Sequence, residues 1–591
     1  MKKNFVRTRW FFTMLLFVTT MIMPTMMLAK SITPTQPKGE GTAENPYQIG
    51  NRAELYWFAG LVNGTLVGVE KDASANAKLM NNITVNEGVL DANKDLVSGS
   101  DFIEWTPVGS ANNTYTGTFD GKGYTISGLY FDHPDADYYV GLFGCIGADG
   151  KISNVGVLDS YFQFGAQGGG VCGVNYGELQ NCSNSSTVIG NQYKGKGGVC
   201  GDNGDINIKG TVRNCKNTGS VRGPAPLGGV CGNNYGTIKN CFNEGSVSVT
   251  VKSGGVGGVC GVNRVYGTIE SCYNTGSVSG QYSVSVGGVC GYDSYYIKNC
   301  YYLSGTAAGG ISKMDEIGRA EEKSIEQFKS GEVAWLLNGK GLGEQVWGQQ
   351  LGKDQYPVPG SDYKVIKAAQ GDKDTNGNDT YWATFSNLTN DVTLSVPSDR
   401  TLNVYNATVS GGKMTLTQRN DNQVAKEEGV LLNTDGEYVN AKANETNELT
   451  KASSDENHLV ATPAEAKTVT AETGCKLYRL TYNDAKTKAG LGFYLGVVNN
   501  SSDGTSLKAT PGKAYLKVNE NEAKAPSSAA LTRSFVFGSG SETTGIEGIT
   551  IMGTDVQHHG TIEGIFNLQG RKIVNPTKGI YIKNNKKVII R

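Results

Sequence analysis

Short apolar runs separated by glycine and asparagine fill the middle of the chain and recur at a regular interval. The phrase Gly-Gly-Val-Cys-Gly occurs five times, with its cysteines at Cys172, Cys200, Cys231, Cys260 and Cys290. A second cysteine follows each of them after 10 to 15 residues, at Cys182, Cys215, Cys241, Cys272 and Cys300. An earlier copy carries Phe143 and Val155 at the two positions. The chain therefore contains an internal repeat between about 141 and 305.

A repeat of 28 to 31 residues without helical periodicity has the size of one coil of a β-solenoid. Stacked coils would lie about 4.8 Å apart, because that is the spacing of hydrogen-bonded strands. Asparagine recurs where each coil should bend, at Asn181, Asn214, Asn240 and Asn299, and we expect these side chains to stack. We expect the glycine pairs to provide corners with positive φ. A β-propeller is the alternative, although its blades need about 40 to 50 residues.

Two copies of the repeat resemble the GLUG repeat of bacterial surface and secreted proteins. One reads Gly-Gly-Val-Cys-Gly at 228–232 and Tyr-Gly-Thr-Ile-Lys-Asn-Cys at 235–241, and the other reads Gly-Leu-Phe-Gly at 141–144 and Ile-Ser-Asn-Val at 152–155. The resemblance extends over roughly 39–360 and implies a right-handed β-helix. This chain departs from the pattern by placing cysteine where such copies carry an apolar residue. The resemblance says little about activity, because one fold serves many functions.

The remaining segments complete an all-β organisation with short helices. Apolar positions at helical spacing predict capping helices at 51–63 and 324–338, which would cover the open ends of the solenoid. Alternating segments between Gly-Gly and Asp-Gly turns predict a β-sandwich after the repeat. The predicted divisions are a signal peptide at 1–29, an N-terminal cap with the first coils at 30–140, the repeat at 141–305, a C-terminal cap at 306–360, the β-sandwich module at 361–518, a linker at 519–545 and a small C-terminal β-unit at 546–591.

The two ends of the chain carry patterns typical of export. Basic residues precede an apolar run at 10–23, and a small-residue site after Ala29 predicts a cleaved signal peptide, with an uncleaved anchor helix as the alternative. No later stretch approaches the roughly 18 apolar residues of a membrane span. Residues 546–591 resemble the C-terminal sorting domain of type IX secretion, which implies the export machinery as a partner. The alternative is a domain-closing hairpin with a solvated basic edge.

Twelve cysteines in an exported chain raise the question of disulfides. The two cysteine positions of the repeat are filled or empty together, which favours one disulfide inside each coil, such as Cys172 with Cys182. The alternative is two columns of buried free thiols that act as small apolar groups. Zinc fits poorly, since the spacing lacks a CxxC element and no histidine is near. Cys145 and Cys475 have no partner in the pairing scheme.

Composition narrows the classes of function. Lys plus Arg number 54 against 55 for Asp plus Glu, so the net charge of -1 gives no basic field for nucleic acid. The chain has 81 glycines but only 15 prolines, and 38% of it is hydrophobic, which excludes a disordered protein.

Candidate catalytic residues are few. None of the 4 histidines lies in the cysteine-bearing coils, so a His-dependent nucleophile cannot be assembled there. Polysaccharide-degrading β-helices need paired carboxylates or an acidic calcium cluster with a base. The best such group is Asp202 and Asp205 with Arg213, for which a solvated turn is the simpler interpretation.

Two further groups are candidates for ligands. Asp372, Asp374 and Asn376 match the first half of a calcium loop, but Ala383 stands where the bidentate Glu belongs, so a polar turn is the alternative. Five tyrosines cluster in the last coil, where they would suit sugar stacking or a protein interface, or else pack in the interior: Tyr292, Tyr295, Tyr296, Tyr301 and Tyr302.

The sequence thus favours a non-enzymatic secreted or cell-surface β-helix protein that binds a surface glycan or a host protein, as in adhesion. A long repeat offers a shallow, rigid face that suits binding better than a concave catalytic site. The alternatives are a polysaccharide lyase or glycoside hydrolase on a β-helix and a structural surface spacer. No cofactor is expected except the candidate calcium.

Overall fold

The computed structural model describes most of the chain between residues 32 and 524, and several short strands after it. The described residues are 32–99, 101–251, 254–280, 285–374, 376–484, 489–496, 503–524, 534–536, 550–552, 565–566, 572–573, 579–583 and 586–590. The predicted signal peptide at 1–29 lies outside them, as does most of the predicted linker.

The described chain falls into two compact units. The first comprises residues up to 268 together with 274–296 and 311–313, and the second comprises 269–273, 297–310 and the residues from 314 onward. The strands Thr268–Glu270, Tyr273–Asn274 and Tyr296–Lys298 contain points at which the chain passes from one unit to the other.

The first unit carries the β-solenoid that the repeat predicts, and the solenoid of the whole chain has about 8 turns. Each coil lays its strands parallel to the equivalent strands of the next coil in an unchanged register. For example, Glu178–Gln180 pairs with Lys151–Ser153 on one side and Thr211–Arg213 on the other. The backbone of every coil therefore hydrogen-bonds to its neighbours, which is why a unit of about 30 residues can stack.

The strands of the first unit belong to five parallel sheets. One sheet follows the Gly-Val-Cys-Gly phrases and is called the cysteine sheet below: Phe143–Ile146, Cys172–Asn175, Cys200–Asn203, Cys231–Asn234, Cys260–Asn263 and Cys290–Asp293. A second contains Tyr47–Ile49, Ala77–Leu79, Thr118–Asp120, Lys151–Ser153, Glu178–Gln180, Thr211–Arg213 and Thr237–Lys239. A third contains Ile83–Thr84, Thr125–Ser127, Gly156–Leu158, Ser183–Asn184, Lys216–Asn217 and Phe242–Asn243. The last two contain Tyr130–His133, Tyr161–Phe164, Thr187–Gly190, Ser220–Gly223, Val247–Val249 and Val278–Ser279, and Gly168–Gly169, Lys196–Gly197, Leu227–Gly228, Gly255–Gly257 and Ser285–Gly287.

Helix α1, Arg52–Asn63, confirms the predicted helix at 51–63. The Asn51 side chain accepts the Glu54 backbone N–H at 3.1 Å and so caps the first turn. On the buried face, the Phe58 ring lies 5.9 Å from the rings of Tyr115 and Phe119. The helix therefore covers the apolar interior of the first coils, in agreement with a capping role.

Asparagine provides the left-handed corner just before the second cysteine position in most copies of the repeat. Asn154, Asn181, Asn214 and Asn240 have φ between 52 and 55°, whereas the glycine pairs of the repeat have no positive φ. The predicted stacking at these bends is present, since Asn214 donates to Asn181 at 3.1 Å. The prediction for the glycine pairs was wrong because those glycines are required by close backbone approach. A Cβ on Gly198 would lie 2.3 Å from the Gly229 carbonyl oxygen.

The second unit contains two short helices where the sequence predicts one at 324–338. Helix α2 is Ile325–Lys329, with a capping box between Ser324 and Gln327, and helix α3 is Glu332–Leu337. Between them Gly331 has φ 92°, a conformation that ends the first helix. In the same unit Cys300–Leu303 pairs in parallel with Ala320–Lys323.

Mainly antiparallel sheets follow, and three of them stack as layers around two hydrophobic cores. The sheets contain Tyr363–Lys367, Val392–Ser395, Gln423–Val424 and Tyr438–Ala443; Ala369–Gln370, Tyr381–Ser386, Leu402–Ser410, Lys413–Gln418, Gly429–Thr434 and Thr550–Met552; and Leu459–Ala461, Cys475–Asp484, Ala489–Leu495, Ala514–Asn519 and Ser534–Val536. The middle sheet is buried on both faces, because Trp382 and Leu431 belong to one core while Ala383 and Leu432 belong to the other. The predicted sandwich is thus extended by a third layer.

The smaller sheets lie around these layers and toward the end of the chain. Two are pairs, Trp347–Gly348 with Val358–Pro359 and Thr468–Thr470 with Ser506–Lys508. A third contains Ile565–Phe566, Lys572–Ile573, Gly579–Lys583 and Lys586–Ile590, and in it Gly579–Lys583 pairs antiparallel with Lys586–Ile590. Within the described residues, no helix has both the length and the apolarity needed to cross a bilayer.

Candidate functional site

A buried ladder of asparagines ends the strands of the cysteine sheet and fixes the bend that follows. The Asn175 amide donates to Asn203 at 2.9 Å, Asn203 to Asn234 at 2.9 Å and Asn234 to Asn263 at 2.8 Å. Asn263 in turn donates to the Asp293 carboxylate at 2.8 Å. Because each side chain bridges two coils, the residues just after the ladder are held in the same place on successive coils.

Tyrosine follows the ladder in most coils, as Tyr176, Tyr235, Tyr266 and Tyr295. Tyr266 and Tyr295 are each 55% exposed, and their rings meet edge to face with centroids 5.9 Å apart. Tyr292 and Tyr296, in the same segment as Tyr295, are also exposed. We call Tyr266, Tyr292, Tyr295 and Tyr296 the tyrosine edge.

A lysine is held over this edge. The Lys209 Nζ lies 4.8 Å from the centre of the Tyr266 ring, a cation–π contact. The insertion at 205–209 fixes that lysine, because its Nζ also donates to the backbone carbonyls of Asp205 and Ile206 at 3.0 Å. The tyrosine edge therefore presents π-faces, hydroxyls and one cation on an ordered backbone.

Tyr266 itself has an unusual backbone. Its φ is 70°, a conformation that a bulky side chain adopts at a cost of about 1–2 kcal/mol. The strain lies at the position where the ring is displayed to solvent, and strained residues of this kind cluster at functional sites.

The five tyrosines predicted as ligand-binding candidates divide into two groups. Tyr292, Tyr295 and Tyr296 are exposed, whereas Tyr301 and Tyr302 are buried at 3% and 2% exposure. The Tyr302 hydroxyl donates to Asp315 at 2.9 Å, so this ring packs inside the second unit. Tyr266 was not among the candidates, although its position after the repeated asparagine could have identified it.

The catalytic candidates are engaged in structural contacts. The Asp202 carboxylate accepts from Asn233 of the next coil at 2.8 Å and from Gln167 of the previous coil at 3.3 Å. Desolvation raises the pKa of Asp202. Its contacts join neighbouring coils and do not place it opposite a second carboxylate within the described residues.

Asp205 and Arg213 occupy other places. The Asp205 carboxylate accepts the backbone N–H groups of Asn207 and Ile208 at 2.7 and 2.8 Å, and the hydrogen bond from Ile208 lowers its pKa. Arg213 is exposed on a strand of a different sheet from Asp202. The described structure therefore shows Asp205 as a turn-forming residue and does not bring the three side chains into one acid–base arrangement.

Lys196 is a buried cation that the sequence analysis missed. It is fully buried, in register with Gly168 and Leu227 of the neighbouring coils. Its Nζ donates to the Pro224 carbonyl at 2.7 Å and to the Gln192 carbonyl. Burial lowers the pKa of Lys196 to about 7. Alignment of the repeats places it in an otherwise apolar or glycine column, which is the signal that could have found it.

The predicted disulfides within the coils are not formed, since each of the twelve cysteines, all of them described, is a reduced thiol. The first column stacks directly from coil to coil, with Cys200 in register with Cys172 and Cys231. Its sulfurs turn to nearby carbonyls, as in Cys172 to the Val174 carbonyl at 3.0 Å. The second column behaves in the same way, with the Cys182 sulfur 3.3 Å from the Gln180 carbonyl. The structure thus shows the alternative, two columns of buried thiols.

The pairing prediction concerned ten residues, and all ten are buried: Cys172, Cys182, Cys200, Cys215, Cys231, Cys241, Cys260, Cys272, Cys290 and Cys300. Burial raises the pKa of Cys200, Cys231 and Cys260 well above the ordinary value, so they resist forming the reactive thiolate. The two cysteine positions of a copy are occupied together because both side chains pack in the interior of the same coil.

The calcium candidate forms a polar turn. One Asp374 oxygen accepts the backbone N–H groups of Asn376 and Asn378 at 2.8 Å, and these hydrogen bonds help to lower its pKa. The Asp372 backbone carbonyl accepts from the Thr380 hydroxyl at 2.6 Å. Among the residues that the structure describes, no group of three or more His, Cys, Asp or Glu side chains is arranged to hold a metal ion.

Comparison with known proteins finds partial similarity. No family model matches the chain. It is 32% identical over 161 residues to "Halomucin" of Haloquadratum walsbyi, which is 27% of this chain and 2% of that protein. It is 32% identical over 149 residues to a "Putative Gly-rich membrane protein" of Evansella cellulosilytica, 24% of this chain and 15% of that protein. The chain thus spans a small part of either relative.

One solved structure also resembles part of the chain. It is described as a "putative immunoglobulin A1 protease" from Bacteroides ovatus, with 21% identity and a TM-score of 0.38. The similarity covers 54% of this chain and 94% of that one.

Proposed function

We propose that this chain is a non-enzymatic secreted or cell-surface protein whose solenoid binds a glycan through the tyrosine edge. The observation that carries the proposal is the pair of exposed, contacting rings of Tyr266 and Tyr295 on adjacent coils, with Lys209 over the first. Sugar rings stack on aromatic faces through their C–H groups and hydrogen-bond to neighbouring hydroxyls. An exposed aromatic patch on an ordered scaffold typically marks an interaction site.

Further observations support a location outside the cytoplasm. One of the two partial relatives is named as a membrane protein. The repeats resemble those of bacterial surface and secreted proteins, and the N-terminal residues have the pattern of a signal peptide. The same proposal includes recognition of residues 546–591 by a type IX sorting system.

Affinity electrophoresis through gels containing soluble polysaccharides tests glycan binding directly. We expect at least one polysaccharide to retard the full-length chain, and Tyr295→Ala to abolish the retardation. Tyr266→Asn is the sharper variant, because asparagine tolerates positive φ, so the aromatic ring is lost without added backbone strain. It should fold at least as stably as the natural chain and still lose retention.

Tyr193→Ala is the matched control, since Tyr193 is a solenoid tyrosine of similar exposure, 63%, outside the tyrosine edge. It should leave retention unchanged. Retention that survives both edge substitutions would contradict the proposal. Shortened products detected by mass spectrometry, and lost in Asp202→Ala, would instead support a polysaccharide-degrading enzyme.

A further inference from the structure

A concave site lies in the second unit, between the middle sheet and the sheet that contains Cys475–Asp484. The cleft has a volume of about 400 Å³, within the range of small-molecule sites. Thr384 belongs to the wall formed by the middle sheet, and Arg479 and Thr481 belong to the opposite wall. Trp382 and Tyr482 add aromatic surface.

The charged side chains that line this cleft are all basic. Its lining contains four basic side chains, Lys367, Arg479, Lys508 and Lys513, and no acidic one among the described residues. Lys367 is neutralised by Glu437, with Nζ 2.6 Å from the carboxylate oxygen. The structure describes no carboxylate paired with Lys513, and burial alone lowers its pKa to about 8.

The backbone of Lys513 is fixed by hydrogen bonds on both sides. Its N–H donates to the Thr462 hydroxyl at 3.2 Å. Its carbonyl accepts from the Ser386 hydroxyl at 2.5 Å and from the Thr462 backbone N–H at 3.1 Å. Lys513 is half-buried. Partial desolvation makes a cation without a counter-charge unfavourable, and the groups that hold the backbone here do not provide that charge. The fixed backbone also reduces the ordering entropy that binding would require.

We propose that this cleft binds a small organic oxyanion, with Lys513 contacting the oxyanion and Arg479 at the rim. The class of ligand is a carboxylate, sulfate or phosphate group on a body of sugar size. The basic groups would recognise the oxyanion, the threonine hydroxyls would accept or donate hydrogen bonds, and the aromatic surface would cover the body of the ligand. This site is separate from the tyrosine edge and does not depend on the function proposed there.

Isothermal titration calorimetry of the full-length chain with sodium glucuronate, sodium sulfate and glucose tests the proposal. At pH 7 we expect glucuronate to bind at least about tenfold more tightly than glucose. Lys513→Met should weaken that binding by about tenfold or more, and Arg479→Gln by a smaller factor. Lys413→Met, at an exposed lysine outside the cleft, should have no effect.

The pH dependence provides a second readout with a defined sign. Lys513 is protonated below about pH 8, so glucuronate should bind well at pH 6.5 and lose about tenfold or more of its affinity by pH 9.5. The Lys513→Met variant should lack this loss. Equal affinity for glucose and glucuronate, no binding of glucuronate, or unchanged affinity in a folded Lys513→Met chain would each overturn the proposal. Binding of sulfate but not glucuronate would contradict an organic ligand.

Discussion

At the scale of single residues, asparagine performs two tasks in this solenoid. On the outer bends it adopts the left-handed conformation, since its short polar side chain tolerates positive φ better than most residues. In the interior it forms hydrogen-bonded ladders between coils. A second such ladder joins Asn184 to Asn217 at 2.8 Å and Asn217 to Asn243 at 2.8 Å. Buried amides of this kind fix the register of stacking, because a slipped coil would leave them unpaired.

Replacing Asn217 by alanine should destabilise the stacked coils by about 2–4 kcal/mol. The substitution removes the partner of the Asn184 amide, the Asn243 carbonyl oxygen and the Gly219 backbone N–H, all of which are buried. Amide hydrogen exchange around residues 183–247 would measure by how much the substitution lowers the free energy of local opening. Asn214→Gly is the comparison variant, because it removes an exposed hydrogen bond between coils while glycine retains the positive φ of that bend. An equal effect in both variants would argue against a special role of the buried ladder.

Lys196 should make stability depend on pH. Its pKa is about 7 in the folded chain and about 10.5 when unfolded, so the unfolded state binds the extra proton between these values. Stability should therefore rise as the pH increases from 7 toward 10, and the full penalty of the buried charge should be present below pH 7. The two carbonyl acceptors offset part of that penalty.

The measurement is the melting temperature of the natural chain minus that of Lys196→Met at pH 6.5, 8 and 9.5. We expect the difference to become more positive with pH. Lys151→Met, at an exposed lysine of the same unit, should give a pH-independent difference. If the difference in melting temperature between the natural chain and Lys196→Met does not change with pH, the two carbonyls compensate the buried charge completely.

At the scale of elements, the sequence predicted the features that depend on the spacing of residues, and it did not predict those that depend on side-chain contacts. The solenoid and helix α1 follow from the 28 to 31 residue interval and from apolar spacing, which reflect backbone geometry. The state of the cysteines does not follow, because whether two sulfurs face each other depends on side-chain direction and not on spacing. The third sheet layer was likewise missed, since strands buried on both faces lose the alternation that marks a sandwich.

The site was predicted only in part for the same reason. Tyr292, Tyr295 and Tyr296 lie close together in the sequence, so this cluster could be predicted. The contact between Tyr266 and Tyr295 joins residues that become adjacent only when the coils stack. The basic cleft around Lys513 was not predictable, because its lining comes from strands far apart in the chain.

The two cysteine columns should behave as unreactive thiols. Eleven of the twelve cysteines are buried and only Cys475 is partly exposed, so alkylation of the native chain should be confined to Cys475. In denaturant without reductant, mass spectrometry should count close to twelve alkylated cysteines. If only two cysteines were alkylated, Cys145 and Cys475, the other ten would be paired in solution, which would contradict the two columns of buried thiols.

At the scale of the whole molecule, the proposed export requires both ends of the chain. The C-terminal residues 571–591 carry seven basic side chains and no acidic one, and they contain the hairpin Gly579–Lys583 with Lys586–Ile590. Lys586–Ile590 is an edge strand of its four-stranded sheet, and a receptor could add to that edge by strand pairing. The same basic edge would discourage aggregation if the segment only closed the fold.

Deletion of residues 553–591, which leaves the strand Thr550–Met552 in the middle sheet, distinguishes these two roles. If the segment is a sorting signal, the truncated chain should stay in the periplasm with an unchanged thermal transition of the solenoid, because the deleted residues contribute no strand to it. Cell fractionation and surface proteolysis would measure the location. The matched control fuses 553–591 to an unrelated periplasmic protein, which should then reach the surface. Normal surface delivery of the truncated chain would instead assign the segment to closing the fold, and the basic residues would then be expected to affect solubility alone.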